Sequence, residues 1–204
     1  MTMSTPYESS GRIRQKTRTR TALVAAAREL MAEGLNPTVG AAADRALISH
    51  ATAYRYFPNQ RALLVATNPE VEVDSLLGPD APTDPEARLD ALVQALTDRI
   101  LASEAQLRAM LRFSLEPQPP QPEQLPLRRG RAITWIEDGL SGVRGKISEA
   151  AFNRLVLAIR ATVGIEALAW LTDVGGLSRE EAAELMRWSA RGLLRAAVAE
   201  ANAS

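Results

Sequence analysis

The chain contains no cysteine among its 204 residues. That excludes a disulfide framework, a thiolate metal centre and a cysteine nucleophile. Its single histidine, His50, is too little for an all-protein zinc site. No Gly-rich phosphate loop and no Ser/His/Asp arrangement are present, so the machinery for catalysis is thin. The paired acids Glu137-Asp138 and Glu180-Glu181 read as solvated or capping groups. No apolar run approaches the ~18 residues that suggest a membrane span. The first residues, MTMSTPYESSGRIRQKTRTR, lack the apolar segment of a signal peptide. A soluble, cytoplasmic chain is expected, with no metal, no cofactor, no membrane partner and no enzymatic role.

Aromatics are scarce too, with three each of Phe, Trp and Tyr. Yet Tyr54, Tyr56 and Phe57 fall within four positions of the stretch SHATAYRYFPNQRALL, with Arg55 between them. Net charge is zero, but it is unevenly spread. Residues 1–68 carry nine Lys/Arg against four acids, and residues 69–204 carry fifteen against twenty. A basic head on an acidic body is the asymmetry of a polyanion-binding module joined to a domain with another task.

Helical periodicity runs through nearly everything after residue 16, and no alternating strand pattern appears. Leu23, Ala26, Ala27, Leu30 and Met31 form one stripe, ended by Gly34. Thr38 caps a short Ala-rich helix to about Ala46. Ser49 caps another that ends near Phe57, since Pro58 cannot continue it. Asn59 caps a fourth, running towards Asn68-Pro69. GPDAPTDP (residues 78–85) reads as a linker. The helix from Glu86 breaks near Ala102–Glu104 and resumes through Leu115. Pro117–Pro126, with five of the twelve prolines, reads as an extended loop. Helices are expected over about Leu127–Val143 and Ser148–Val174, and from Ser178, where Ser178 and Glu181 form a capping box.

The expected organisation is a disordered basic-leaning tail over 1–16, a DNA-binding domain over 17–68 and a helical domain over 69–204. The short helices capped by Thr38 and Ser49, joined by a tight turn, have helix-turn-helix proportions, in which the second helix enters the major groove. Ser49, His50, Ala51 and Thr52 occupy its first turn, within reach of base edges, and its N-terminus favours a phosphate. Tyr54, Arg55 and Tyr56 place hydroxyls and a guanidinium where phosphates run, while Phe57 points into the core. The arm Arg12, Arg14, Lys16, Arg18 and Arg20 adds phosphate or minor-groove contacts. The pattern Thr38-Val39, Ala43, Ile48-Ser49, Thr52, Tyr54-Arg55-Tyr56-Phe57-Pro58-Asn59, Ala62-Leu63-Leu64 resembles the DNA-binding signature of TetR-type transcriptional repressors.

The resemblance covers roughly 50 residues and implies an all-α fold: a three-helix helix-turn-helix domain followed by a helical ligand-binding and dimerisation domain. It implies a homodimer on double-stranded operator DNA, released by a small-molecule effector, and nucleoid association in the cytoplasm. Three departures stand out. Leu47 replaces the usual turn glycine, so a turn there is left-handed and strained or differently shaped. Gln60 replaces a phosphate-binding lysine, giving a hydrogen bond without charge. Ala41 and Ala42 replace an acidic residue and an isoleucine. Phosphate anchoring is then altered, with more reliance on the arginine arm. A helical small-ligand or protein-binding module with weakened DNA affinity is the competing expectation.

In the body, the final helices are apolar on more than one face, which implies pairing with a second copy. Leu168, Leu171, Met186, Leu193 and Ala197 are the candidate interface. Met110, Phe113, Trp135 and Trp170 are the candidate pocket lining.

Overall fold

The computed structural model describes residues 6–67, 74–115 and 131–203, with side chains in the first helix from Arg14 onward. Arg12's side chain, the Asn68-Pro69 stop and the proline-rich Pro117–Pro126 lie outside the described residues. Among the described residues there are ten helices and no strand. Two compact units divide the chain, one of Met1–Glu70 with Arg112–Glu116 and one of Val71–Leu111 with Pro117–Ser204.

The first unit contains α1 (Pro6–Ala32), α2 (Val39–Arg45), α3 (His50–Tyr56) and α4 (Gln60–Thr67). The tail expected to be disordered through residue 16 is helical from Pro6. Proline suits a first helical position, and Arg, Lys and Gln are good helix formers that let the amphipathic segment extend backwards. The stripe Leu23, Ala26, Ala27, Leu30 and Met31 is buried against Val39, Ala42, Ala43, Ala53, Phe57 and Leu63. Arg28 donates to the Thr67 carbonyl at 3.1 and 2.9 Å, fixing the end of α4 to α1. Arg45 makes a two-pronged pair with Glu33 at 2.7 and 2.8 Å, and that bond holds the Glu33 carboxyl below its ordinary range.

The turns after α1 and α2 use one device with different residues. After α1, Leu35 N–H donates to the Leu30 carbonyl (2.8 Å) and Gly34 N–H to Met31 (3.0 Å), with Gly34 at φ 75°. After α2, Ile48 N–H donates to Ala43 (2.9 Å) and Leu47 N–H to Asp44 (3.2 Å), with Leu47 at φ 55°. Both are Schellman closures, which satisfy the last carbonyls of a helix through one left-handed residue. Glycine takes that conformation freely, whereas leucine strains its Cβ by about 1–2 kcal/mol. Leu47 is also 94 % exposed, so it recovers nothing by packing. Leu47→Gly is therefore expected to raise stability by about 0.5–1 kcal/mol, the gain being trimmed by glycine's unfolded-state entropy. Chemical denaturation checks it. An unchanged or lower midpoint would mean that the leucine has a contact partner.

The second unit contains α5 (Pro85–Ala102), α6 (Glu104–Leu115, whose last residues group with the first unit), α7 (Ala132–Gly139), α8 (Glu149–Thr162), α9 (Ile165–Asp173) and α10 (Arg179–Asn202). Asp84 caps α5 through the Ala87 N–H at 2.9 Å, and the break expected near Ala102–Glu104 falls at Ser103. The Ser178–Glu181 capping box is fully formed. Leu89, Leu92, Val93 and Leu96 of α5 share a core with Phe152, Leu155 and Ile159 of α8 and Met186, Ala190 and Leu194 of α10.

The long helix expected over Ser148–Val174 is two helices bent by 41°. Val163 and Gly164 are extended between them, at φ −125° and 180°. Arg160 and Glu166 pair at 3.2 Å, and a Cβ built on Gly164 would lie 2.2 Å from Arg160 Nη1 and 2.6 Å from Glu166 Oε2. A missing side chain thus makes room for an ion pair that bridges the bend. The α7 span also differs from expectation. It ends at Gly139 rather than near Val143, because the Leu140–Ile147 segment winds into tight turns with an isolated Arg144–Ile147 bridge.

Charges join the helices at the rim of this core. On α5, Glu86 pairs with Arg195, and Asp90 with both Arg187 and Arg191 of α10. The Arg187 hydrogen bond holds the Asp90 carboxyl low. Glu104, 9 % exposed, receives Arg108 at 2.7 Å and Arg179 at 2.6 Å. Burial pushes its carboxyl up, but the two arginines overcome that and leave it below the ordinary range. No single helix among the described residues is long and apolar enough to cross a membrane.

Candidate nucleic-acid interface

Two seven-residue helices carry the candidate interface. Thr38 Oγ1 accepts the Ala41 N–H at 3.1 Å, starting α2 after Pro37. Ser49 Oγ accepts the Thr52 N–H at 3.4 Å and donates to Thr52 Oγ1 at 3.0 Å, starting α3. Such caps satisfy amides that have no partner within the helix. Helix α3 ends because Phe57 turns extended, φ −133° and ψ 94°, ahead of Pro58. Asn59 Oδ1 then accepts the Ala62 N–H at 2.8 Å and opens α4.

The inward side of α3 is Ala53, fully buried, with Phe57 beyond its end at 3 % exposure. Its outward residues are His50, Ala51, Tyr54 and Arg55, with Thr52 and Tyr56 half-buried at one edge. Tyr56 packs against the unit's core. The anticipated split is therefore seen: Phe57 holds the helix from within while Tyr54 and Arg55 face out. Tyr56 belongs partly to both surfaces.

Several candidate contacts are engaged inside the unit. His50 Nε2 lies 2.7 Å from Asp44 Oδ1, linking the start of α3 to α2. Gln60 Nε2 donates to Asn36 Oδ1 at 2.6 Å. Its amide is thus occupied in bridging the α1–α2 loop to α4, which weakens the expectation that it contacts phosphate. Arg20 lies over the Phe57 ring at 5.6 Å, and Arg18 is exposed. Both sit on the helical rod of α1. Thr38, Ser49, Ala51 and Thr52 remain where expected, at the two helix starts and the first turn of α3.

The body residues are not gathered as expected. Met110 and Trp135 are buried, Phe113 is buried but falls in the stretch grouped with the first unit, and Trp170 is 60 % exposed. A tryptophan facing out of its unit suits a partner better than an enclosed ligand. The candidate dimer residues are also redistributed. Leu168, Met186 and Ala197 are core, and Leu171 and Leu193 pack against that core. The outward apolar residues of the same helices are Leu157, Trp170, Val174, Leu185 and Trp188. The final helices are apolar on more than one face, and the faces of α8 and α9 that carry Phe152, Leu155, Val156, Ile159 and Leu168 all turn inward.

Residues 22–67 match the family described as bacterial regulatory proteins, tetR family. No curated protein matches the sequence significantly.

Proposed function

We propose that this chain, a DNA-binding transcriptional regulator of the tetR family by its residues 22–67, acts as a homodimeric repressor that a small-molecule effector releases from its operator. The observation that carries the reading is α3. It is capped at Ser49, anchored inward by Ala53 and Phe57, and turns Ala51, Tyr54 and Arg55 outward. A short rod fixed in this way by a three-helix core suits the major groove. Repression follows if the operator overlaps a promoter, because occupancy alone excludes polymerase.

Two features of the second unit support the remaining parts. The outward stripe Leu185, Trp188, Gly192, Ala196 and Ala199 on α10 combines large apolar and small residues. Such a stripe favours close, twofold helix pairing. Gln106 Nε2 on α6 is buried without a hydrogen-bond partner among the described residues. A buried donor of this kind calls for an acceptor, such as the carbonyl or carboxylate of an effector. Release requires that the effector favour a conformation with wrongly spaced reading helices, since equal affinity for both states shifts nothing.

Selection of bound duplexes from a random pool tests this reading. The expected product is an inverted repeat whose half-sites are read about 34–36 Å apart, or a multiple of that spacing. Affinity should fall steeply with salt. A pool that enriches no sequence would defeat the proposal and favour a ligand- or protein-binding module whose helix pair has lost DNA affinity. The Gln60–Asn36 bond, which occupies one potential phosphate contact, is what keeps that second reading in play.

A further inference from the structure

We infer that Arg55 is the specificity-determining residue of α3, reading a guanine edge in the groove rather than clamping a phosphate. This rests on the DNA-binding reading above and assigns a chemical target within it. At 3.6 residues per turn, the inward positions Ala53 and Phe57 define one side of the rod, both nearly inaccessible. Opposite them stand Ala51 and Arg55, four residues apart and both exposed. His50 and Tyr54 occupy one flank, Thr52 and Tyr56 the other. The hydroxyls therefore sit on the flanks, where a groove-bound helix meets the two phosphate rails. The backbone position of Arg55 lies on the midline, which faces the base edges.

Side-chain direction adds to the placement. Helical side chains lean towards the N-terminus and cover the turn before their own Cα. A rotamer change would carry Arg55 from its present place over Tyr56 to a path over Ala51, whose small methyl group leaves the way open to the end of α3 that enters the groove. Other arginines of this unit are committed to its fold: Arg45 to Glu33 and Arg28 to the Thr67 carbonyl. Among the described residues no carboxylate pairs with Arg55. Its guanidinium rests over the Tyr56 ring, 5.8 Å from the centroid. A single exposed cation–π contact of that kind is weak, whereas a bidentate arginine–guanine pair makes two charge-assisted hydrogen bonds. The resting contact is therefore one that a base edge can displace. Guanine is the match because its O6 and N7 are two adjacent acceptors, spaced for the arginine fork.

The experiment begins from the site that the wild-type full-length protein selects. Affinities are then measured for that duplex and for versions changed at each base pair, across a salt series, with Arg55→Ala and Arg55→Lys alongside. The expected wild-type site carries one strongly preferred G·C pair per half-site. Arg55→Ala should bind it about 5- to 150-fold more weakly per reading contact and show a flat preference at that pair alone. Its salt slope should be close to that of the wild type. Arg55→Lys, which keeps the charge but loses the planar fork, should lose the same discrimination. Uniform weakening on every sequence, with the salt slope reduced by about 0.9 per protomer, would make Arg55 a phosphate contact and overturn the inference while leaving DNA binding intact. So would Arg55→Lys retaining full discrimination. A wild-type pool with no enriched site would instead bring down the DNA-binding reading, and this inference with it.

Discussion

Phe57→Ala is expected to unfold the first compact unit while the second stays folded. Phe57 is 3 % exposed and lies in the cluster formed by Leu23, Ala27, Leu30, Ala53 and Leu63. Truncating a buried phenylalanine removes its transfer free energy and leaves a cavity, about 3–5 kcal/mol together. The α1–α4 unit has some 60 described residues, and a unit of that size has only about 3–9 kcal/mol of total stability. Collapse of neighbours into the gap is limited, because Ala53 and Ala27 have no side-chain length to move. Placement of the chromophores separates the two units. All three tryptophans, Trp135, Trp170 and Trp188, lie in the second unit, so their fluorescence reports on it alone. Circular dichroism at the helix band reports on both units. The variant should lose part of its helix signal at a temperature where tryptophan emission is unchanged, and all operator binding with it. Phe57→Leu, which conserves most of the volume, should retain both. A Phe57→Ala protein that melts like the wild type and still selects DNA would show that α3 has another anchor.

What the sequence revealed and what it hid divide along physical lines. Caps were legible because their chemistry is local. Thr38, Ser49, Asn59 and Ser178 each act on an amide three residues away. At Leu47 the sequence left two options open, a left-handed strained turn or a different shape, and the structure takes the left-handed one, at φ 55°. The pairings His50–Asp44 and Gln60–Asn36 were not legible, since they depend on where one helix lies against another and on a loop 24 positions away. The bend at Val163-Gly164 was hidden by a continuous apolar pattern on both sides of it. A salt bridge crosses a glycine there, which periodicity does not register. The helical start at Pro6 was missed because a polar, basic segment with few apolar positions reads as a tail. Its side chains carry little amphipathic signal, yet intrinsic propensity and an established helix downstream suffice to extend it.

The same division bears on the pairing surface proposed above, and it yields the second large effect. Trp188→Arg is expected to leave the fold intact and to dissociate the proposed dimer. Trp188 is 65 % exposed, and the core residues of α10, Met186, Ala190 and Leu194, point elsewhere. Arginine is as good a helix former as the position needs, so the folded monomer should keep the helix content of the wild type. In the dimer the tryptophan would be a buried anchor. Removing such a residue costs about 2–4 kcal/mol, or roughly 30- to 700-fold in the dimer dissociation constant. A guanidinium in its place adds the desolvation of a charge with no partner, and a twofold axis would set the two arginines near one another. Sedimentation equilibrium should show a monomer at concentrations where the wild type is a dimer. Operator affinity should fall in parallel, because each half-site is then held alone. Leu168→Ala makes the contrast. Leu168 is fully buried in the core, so its truncation should lower the melting temperature and leave the dimer constant of the folded protein nearly unchanged. The reverse pattern, with Trp188→Arg dimeric and Leu168→Ala monomeric but stable, would return the interface to the residues that the sequence pattern first suggested.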